Sequence, residues 1–246
     1  MDRRYRVARM RLRSRLKDWK RRRQLARAGI GVELEVPTFS AGARSGVWVV
    51  ASDGLGPKSV VWSAGVGDNI AWDLALIERF GCVVHAFDPT PRAREWLAEQ
   101  TLPAKLRFHA LGLAAFDGEQ SFAPPRRAQG VDFRPVDAPV PGGVSAPVRR
   151  VSTLARELGC TRIDVLKLDI EGGEYAVLAD VLAHGPRPRQ ILVEFHHGQH
   201  DIPFERTLAT IGALLVNGYQ IVHVSRRGLE LSFLADADSP GRGRPG

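Results

Sequence analysis

Short apolar runs alternate with longer helical segments through most of this chain, and this alternation limits its possible folds more than any other feature. Strands are predicted at residues 60–64, 83–87, 106–110, 163–168 and 191–195. Helices are predicted at residues 69–80, 91–99, 152–158, 174–182 and 204–216. Repeated strand–helix alternation is typical of a parallel sheet with helices on both faces. The sequence therefore predicts a doubly wound α/β fold.

The last two apolar runs, at residues 219–224 and 229–234, follow a different pattern. They are joined by Ser225-Arg226-Arg227-Gly228, a short connection that is typical of a β-hairpin. The final strand is therefore expected to run antiparallel. A Rossmann-like sheet closed by such a hairpin is the layout of class I methyltransferases, and dehydrogenase domains usually lack it. Two further short strands are expected near residues 32–36 and 47–50.

Positive charge is concentrated at the N-terminus of the 246-residue chain. The net charge is +8, but residues 1–27 hold thirteen Lys or Arg against Asp2 and Asp18, a net of +11. The remaining residues carry a net charge of −3, as a small-molecule enzyme can.

Residues 1–45 are interpreted as a basic N-terminal extension with an amphipathic helix, because the first 28 residues lack Pro and Gly. Tyr5, Leu12, Leu16 and Trp19 recur there at helical spacings. This segment is either a solvated helix or a contact for an anionic membrane, RNA or an acidic partner. Because residues 1–27 supply charge rather than core, we expect their deletion to leave donor affinity and thermal stability nearly intact.

Residues 46–235 are expected to form one methyltransferase domain, followed by a flexible tail at residues 236–246. Six prolines and a Gly-Gly pair make residues 117–147 a long loop by composition, either a lid over a substrate or an insertion without function. No apolar stretch approaches the roughly 18 residues of a membrane-spanning helix, and the two cysteines match no metal-ligand spacing. We therefore expect a cytoplasmic protein, peripheral at a membrane if the basic segment docks there.

The first site motif is a glycine turn, in which an apolar strand runs into Gly65-Val66-Gly67-Asp68-Asn69 and then a helix. Glycines let a ligand approach the backbone, and a helix N-terminus offers free N–H groups. The third glycine of the dinucleotide fingerprint would fall at Ile70 and is absent, which argues against NAD or FAD.

Acidic residues end three of the predicted strands. Asp88 follows the second strand about twenty residues after the glycines, where an acid accepts hydrogen bonds from ribose hydroxyls; the alternative is a helix cap. Asp169 and Glu171 follow residues 163–168, while Glu194 and His196 share one face at the end of the last parallel strand. All of these should meet in the crevice at the carboxyl ends of the strands.

These motifs, in this order and at these separations, resemble the FkbM family of S-adenosylmethionine-dependent methyltransferases over roughly residues 47–234. The most specific segment is Lys167-Leu168-Asp169-Ile170-Glu171-Gly172. The resemblance implies a class I fold, S-adenosylmethionine as methyl donor, and O-methylation of a hydroxyl on a sugar or natural-product-like small molecule.

The resemblance also implies a role for each site residue. Gly65 and Gly67 would lie against the methionine part of the donor, with Asp68 and Asn69 at its polar edge. Asp88 would hold the ribose, and the backbone at Leu111 would contact adenine. Asp169 and Glu171 would line the reaction centre next to the donor, and Glu194 and His196 would line the acceptor side.

Methyl transfer from a sulfonium depends mainly on positioning, and a hydroxyl acceptor must also lose its proton. A neutral His suits that role of general base near pH 7, so His196 is the first choice and Asp169 the second. We expect no metal, although a divalent ion has suitable ligands in Asp169, Glu171, Glu194 and His196. Two other functions remain open: a non-catalytic Rossmann-like module tethered to membrane or RNA, and an NAD-dependent oxidoreductase.

Overall fold

The computed structural model describes residues 3–42, 46–127, 130–199 and 201–236, with side chains from Ser14 onwards. Their helices are α1 (Arg3–Arg27), α2 (Ala71–Phe80), α3 (Pro91–Ala98), α4 (Val151–Glu157), α5 (Glu174–His184) and α6 (Phe204–Val216). Their strands are β1 (Thr38–Ala41), β2 (Trp48–Ala51), β3 (Val60–Ala64), β4 (Val83–Phe87), β5 (Leu106–His109), β6 (Gly112–Leu113), β7 (Gly118–Ala123), β8 (Arg134–Val136), β9 (Val144–Arg149), β10 (Val165–Leu168), β11 (Gln190–Glu194), β12 (Tyr219–Val224) and β13 (Glu230–Ala235).

The central sheet has seven strands in the order β12-β13-β11-β10-β3-β4-β5. Strands β11, β10, β3, β4 and β5 are parallel, whereas β13 runs antiparallel to both β11 and β12. The predicted doubly wound sheet and its antiparallel hairpin are therefore confirmed. The chain reverses its direction of winding between β3 and β10, which makes their carboxyl ends the switch point of the sheet.

Two apolar clusters cover the faces of this sheet. Trp62, Phe87, Leu166 and Phe195 belong to the larger cluster, and Trp72 belongs to the one on α2 and β2. Strands β10 and β11 are buried along their whole length, as expected for a parallel sheet with both faces covered. Their polar side chains are therefore confined to a few buried positions and to the strand ends.

The Pro-rich insertion is not the long loop that its composition predicts. Strands β7, β8 and β9 form a second sheet with β6, in the order β6-β9-β7-β8. Pro135 lies on the edge strand β8, and Pro147 of β9 has a strand partner only on the β7 side. At these positions a missing N–H removes little of the ladder, so proline is tolerated.

The N-terminal region differs from expectation in two places. Residues 32–36 form no strand. The N–H groups of Glu33 and Leu34 both donate to the carbonyl of Ile221, which is not the pattern of a β-ladder. The strand that pairs with β2 is β1, a few residues later. The predicted helix is present as α1, with Leu16 and Trp19 exposed, but Leu25 is only 1% exposed and belongs to the main core. The expectation that residues 1–27 supply no core is therefore wrong at Leu25.

The structure tests only some of the remaining expectations about the two ends of the chain. Among the described residues, no helix is long and apolar enough to cross a membrane. The side chains of Tyr5 and Leu12 and the predicted flexible tail beyond Asp236 lie outside the part of the chain described.

Candidate functional site

A cavity of about 510 Å³ opens at the carboxyl ends of β3, β4, β10 and β11. Its volume lies in the usual range for small-molecule sites. The lining includes most of the predicted site residues: Gly65, Gly67, Asp68, Asn69, Asp88, Asp169, Glu171 and Glu194. The switch point between β3 and β10 therefore lies at this cavity, where ligands of doubly wound proteins bind.

The glycine turn after β3 is shaped for close backbone approach. Gly65 has φ 83°, and a Cβ there would lie 1.7 Å from the carbonyl oxygen of Asp169, so no other residue fits. Gly67 has φ 55°, and its N–H donates to Asp88 Oδ2 at 2.9 Å. The turn thus joins the ends of β3, β4 and β10 and leaves bare backbone facing the cavity.

Asp88 is 5% exposed and held from three directions. Besides the bond from Gly67, its Oδ1 accepts from the N–H of Thr90 at 2.9 Å and from its hydroxyl at 2.6 Å. Thr90, rather than Asp88, caps α3, because the hydroxyl oxygen of Thr90 accepts from the N–H of Ala93. A carboxylate has about four acceptor positions, so Asp88 retains one for a ligand hydroxyl.

The remaining residues near the turn have different positions. Asn69 Oδ1 accepts from the N–H of Ala71 and so holds the start of α2 beside the cavity. The side chain of Leu111, whose backbone is predicted to contact adenine, packs against the main core, and the neighbouring Gly112 and Leu113 line the cavity. The contact between the Leu111 backbone and adenine stays a prediction.

A buried pair of opposite charges, absent from the sequence-based prediction, also lines the cavity. Asp73, in the first turn of α2, is 3% exposed, and its Oδ1 has no hydrogen-bond partner. Burial raises the pKa of Asp73, while nearby Lys167 lowers it. Lys167 Nζ lies 3.3 Å from the carbonyl oxygen of Gly65 and 4.8 Å from the ring centre of Trp48. The signal that could have revealed this pair is a lysine inside the otherwise apolar strand β10.

His196 lies in a cluster of carboxylates. Its Nε2 is 3.5 Å from Glu171 Oε2 and 3.9 Å from Asp169 Oδ1. On the opposite side, Nδ1 is 3.0 Å from Oε1 of the fully buried Glu174, which also accepts from the backbone N–H of His196. The second Glu174 oxygen accepts from the N–H of Gly172, so the turn after β10 and the end of β11 are held together.

The protonation state of His196 differs from the neutral imidazole that the sequence predicts. Burial by itself lowers the pKa of His196, but the carboxylates of Glu171 and Glu174 outweigh it and raise the pKa to about 11. A protonated imidazole has no free lone pair to accept a proton. In this arrangement His196 therefore holds carboxylates in place, and its predicted role as general base requires loss of that proton.

Two carboxyl groups at the cavity have raised pKa values. Burial and the nearby Asp169 raise the pKa of Glu194 to about 8, although Arg227 Nη2 donates to Glu194 Oε1 at 2.9 Å. Burial also raises the pKa of Asp169, against the effect of Lys167 and His196. Both side chains line the cavity and offer oxygens to a bound molecule.

The second sheet contributes one wall of the cavity. Val131, Asp132 and Phe133 line it together with Pro135 and Val136. The Val131 side chain lies within 3.0 Å of where a Cβ on Gly67 would project, and Arg92 donates to the carbonyl of Gly130. The insertion is therefore in contact with the glycine turn, where it can shape the space for a ligand.

Comparison with known proteins identifies a family. The model described as the methyltransferase FkbM domain matches residues 42–221. No curated relative matches the chain.

Three solved structures are similar to the chain at low identity. FkbM methyltransferase from Methylobacillus flagellatus is 15% identical with a TM-score of 0.46, and the match covers 73% of this chain and 44% of that one. Fibrillarin, a pre-rRNA processing protein of Methanococcus jannaschii, is 11% identical with a TM-score of 0.46, covering 73% and 67%. An rRNA methylase from Streptococcus thermophilus is 10% identical with a TM-score of 0.41, covering 74% and 90%. The chain thus spans less than half the length of the first of these proteins.

Proposed function

Because the chain belongs to the FkbM methyltransferase family, we propose that it transfers a methyl group from S-adenosylmethionine to a hydroxyl of a small molecule such as a sugar or natural product. The observation that carries this proposal is the hydrogen bond between the Gly67 N–H and Asp88. It joins the glycine turn and the strand-end acid in one wall of the cavity, next to the acids of β10 and β11.

The residues at the cavity fit the three chemical parts of this donor. The bare backbone at Gly65 and Gly67 admits close approach, and Asp88 has an acceptor for a ribose hydroxyl. The amino-acid end of the donor carries an ammonium and a carboxylate. Asp73 has an unpartnered buried oxygen for the ammonium, and Lys167 is a buried cation for the carboxylate.

S-adenosylmethionine supplies a methyl group on a positively charged sulfur, and the C–S bond breaks with its electron pair left on sulfur as the acceptor oxygen attacks. The protein's task is mainly to align the acceptor, an effect worth about 7–11 kcal/mol. Asp169 and Glu194 present carboxyl oxygens that can hold the acceptor hydroxyl, and in the ionised form either can take its proton. His196 lies behind Asp169 and Glu171 and positions them through its ring nitrogen.

Acceptor selection is assigned to the second sheet. The segment from Val131 to Val136, which includes strand β8, lines the cavity, with Phe133 as an apolar side chain and Asp132 as a polar one. A mixed wall of this kind suits a polyhydroxylated molecule that also has an apolar face.

Calorimetry with the full chain tests the proposal. S-adenosylmethionine and S-adenosylhomocysteine should bind with one site per chain, and NAD should not. Methyl-labelled donor mixed with pooled sugars and natural products should then yield a labelled ether product. The absence of donor binding, or binding of NAD alone, would contradict the proposal; donor binding with no product from any hydroxyl pool would favour the non-catalytic binding module.

A further inference from the structure

We propose that Asp169, Glu171 and His196 form a binding site for one divalent metal ion at the acceptor side of the cavity. The three side chains come from separate segments: the end of β10, the turn that follows it, and the residue pair after β11. One donor atom from each lies within 4.8 Å of the others. Neither the fold class nor the donor site requires such an ion.

The separations of the donor atoms suit a common ion. Atoms about 2.1 Å from one cation lie about 3.0–4.2 Å apart, depending on the angle between them. His196 Nε2 lies 3.5 Å from Glu171 Oε2 and 3.9 Å from Asp169 Oδ1. The ligand atoms all lie within 4.8 Å of one another, so an ion could sit between them after side-chain adjustment. Binding at Nε2 would displace the proton that His196 carries in the metal-free protein, so metal binding should release a proton.

A carboxylate contacts the ring nitrogen of His196 that faces away from the proposed ion, as is common at metal sites. Glu174 is fully buried and faces Nδ1 at 3.0 Å, which leaves Nε2 directed at the two other ligands. A carboxylate behind a histidine fixes the ring orientation and raises its basicity as a ligand. The same Glu174 holds the backbone at Gly172 and His196, so the positions of two ligand-bearing segments depend on it.

The ligand set indicates the class of ion and its use. Two carboxylates and one imidazole suit Mn²⁺ or a similar first-row divalent cation better than a thiolate-preferring one. Asp169 and Glu171 line the cavity, so an ion held by them would face the acceptor. Resting on the proposed function, we assign to this ion the binding of the acceptor hydroxyl oxygen. Its proton then leaves more easily and passes to the ionised form of Glu194.

Mn²⁺ binding is measured by electron paramagnetic resonance on the full chain after EDTA treatment and dialysis. One ion per chain is expected. Glu171→Gln should weaken binding at least about 10-fold, whereas Asp132→Asn should change it less than about 3-fold. Asp132 is the matched control because it lies close enough to Glu171 and His196 to interact with their charges but is not a ligand.

Asp169→Asn is the second ligand variant, and thermal melts check that each variant folds. Failure of the parent to bind Mn²⁺ at millimolar concentration would overturn the site and leave a plain ion-pair cluster. Equal weakening by Glu171→Gln and Asp132→Asn would also overturn it, because that result indicates diffuse attraction to acidic surface. Donor calorimetry without metal is run separately, so Mn²⁺ binding without donor binding would contradict the proposed function and retain the metal site.

Discussion

At the scale of single residues, Asp88 is the clearest test of the donor site. Asp88→Ala should weaken S-adenosylmethionine binding about 10-fold, because one hydrogen bond from a ligand hydroxyl to a charged acceptor is lost. The loss of the bonds to Gly67 and Thr90 should also loosen the glycine turn. Calorimetry gives the affinity, with Glu95→Gln on the exposed face of α3 as control. Unchanged affinity in the folded variant would remove Asp88 from the site.

Asp73 and Lys167 allow a sharper experiment, because they are assigned to only one end of the donor. Asp73→Asn and Lys167→Met should each weaken S-adenosylhomocysteine binding about 10-fold or more, since each removes a buried charge facing a ligand charge. Binding of 5′-methylthioadenosine, which lacks the amino-acid group, should change less than about 3-fold.

Asp88→Ala is the reference for that comparison, because it should weaken both ligands alike. If the Asp73 and Lys167 variants also weaken both ligands equally, the pair is a structural ion pair of the cavity wall rather than a contact for the amino-acid end.

At the scale of elements, α1 combines a core contact with an exposed basic surface. Leu25→Ala should lower the free energy of unfolding by about 2–5 kcal/mol, because Leu25 is 1% exposed in the main core. Leu16→Ala on the same helix is the matched control, since Leu16 is 51% exposed and its loss should cost less than about 0.5 kcal/mol. Denaturant unfolding measures both, and equal effects would contradict the packing of Leu25.

The same element separates charge from stability. Deleting residues 1–17 removes most of the basic side chains but retains Leu25, so the unfolding midpoint should change little while any affinity for anionic vesicles or RNA is lost. Deleting residues 1–28 should also destabilise the domain. A large loss of stability from the shorter deletion would show that the first turns of α1 contribute more than charge.

At the scale of the whole molecule, the two cysteines differ in exposure, so their labelling rates distinguish the folded protein from the unfolded one. Cys82 is 1% exposed, and burial raises the pKa of its thiol to about 11. At pH 8 only about one Cys82 in a thousand is a thiolate in the folded protein, so labelling of Cys82 should require unfolding. Cys160 is partly exposed and should be labelled in the folded protein. Mass spectrometry distinguishes the two sites, and rapid labelling of both would indicate local opening at β4.

Much of the architecture could be predicted because its signals are local. A buried parallel strand is a short apolar run, a tight turn near a ligand needs glycine, and an acidic residue stands at or just after the end of β4, β10 and β11. Gly65, Gly67, Asp88, Asp169 and Glu194 were therefore assigned to one edge of the sheet, and all five line the cavity. The hairpin that contains Arg227 could also be predicted from the sequence, because a short polar segment ending at Gly228 separates two apolar runs.

Only the tertiary structure determined the features that depend on residues distant in the chain. The Pro-rich insertion forms a sheet because β7 pairs with β9, which lies about twenty residues further along the chain. The composition of the residues between them is typical of a loop, so it gives no sign of this pairing. Leu25 is part of the core because the C-terminal part of α1 packs against the larger apolar cluster. The carboxylates of Glu171 and Glu174 raise the pKa of His196, and Asp73 lies near Lys167, only after folding brings separate segments together. Charge interactions and burial depend on three-dimensional distance, and a local pattern contains none of that information.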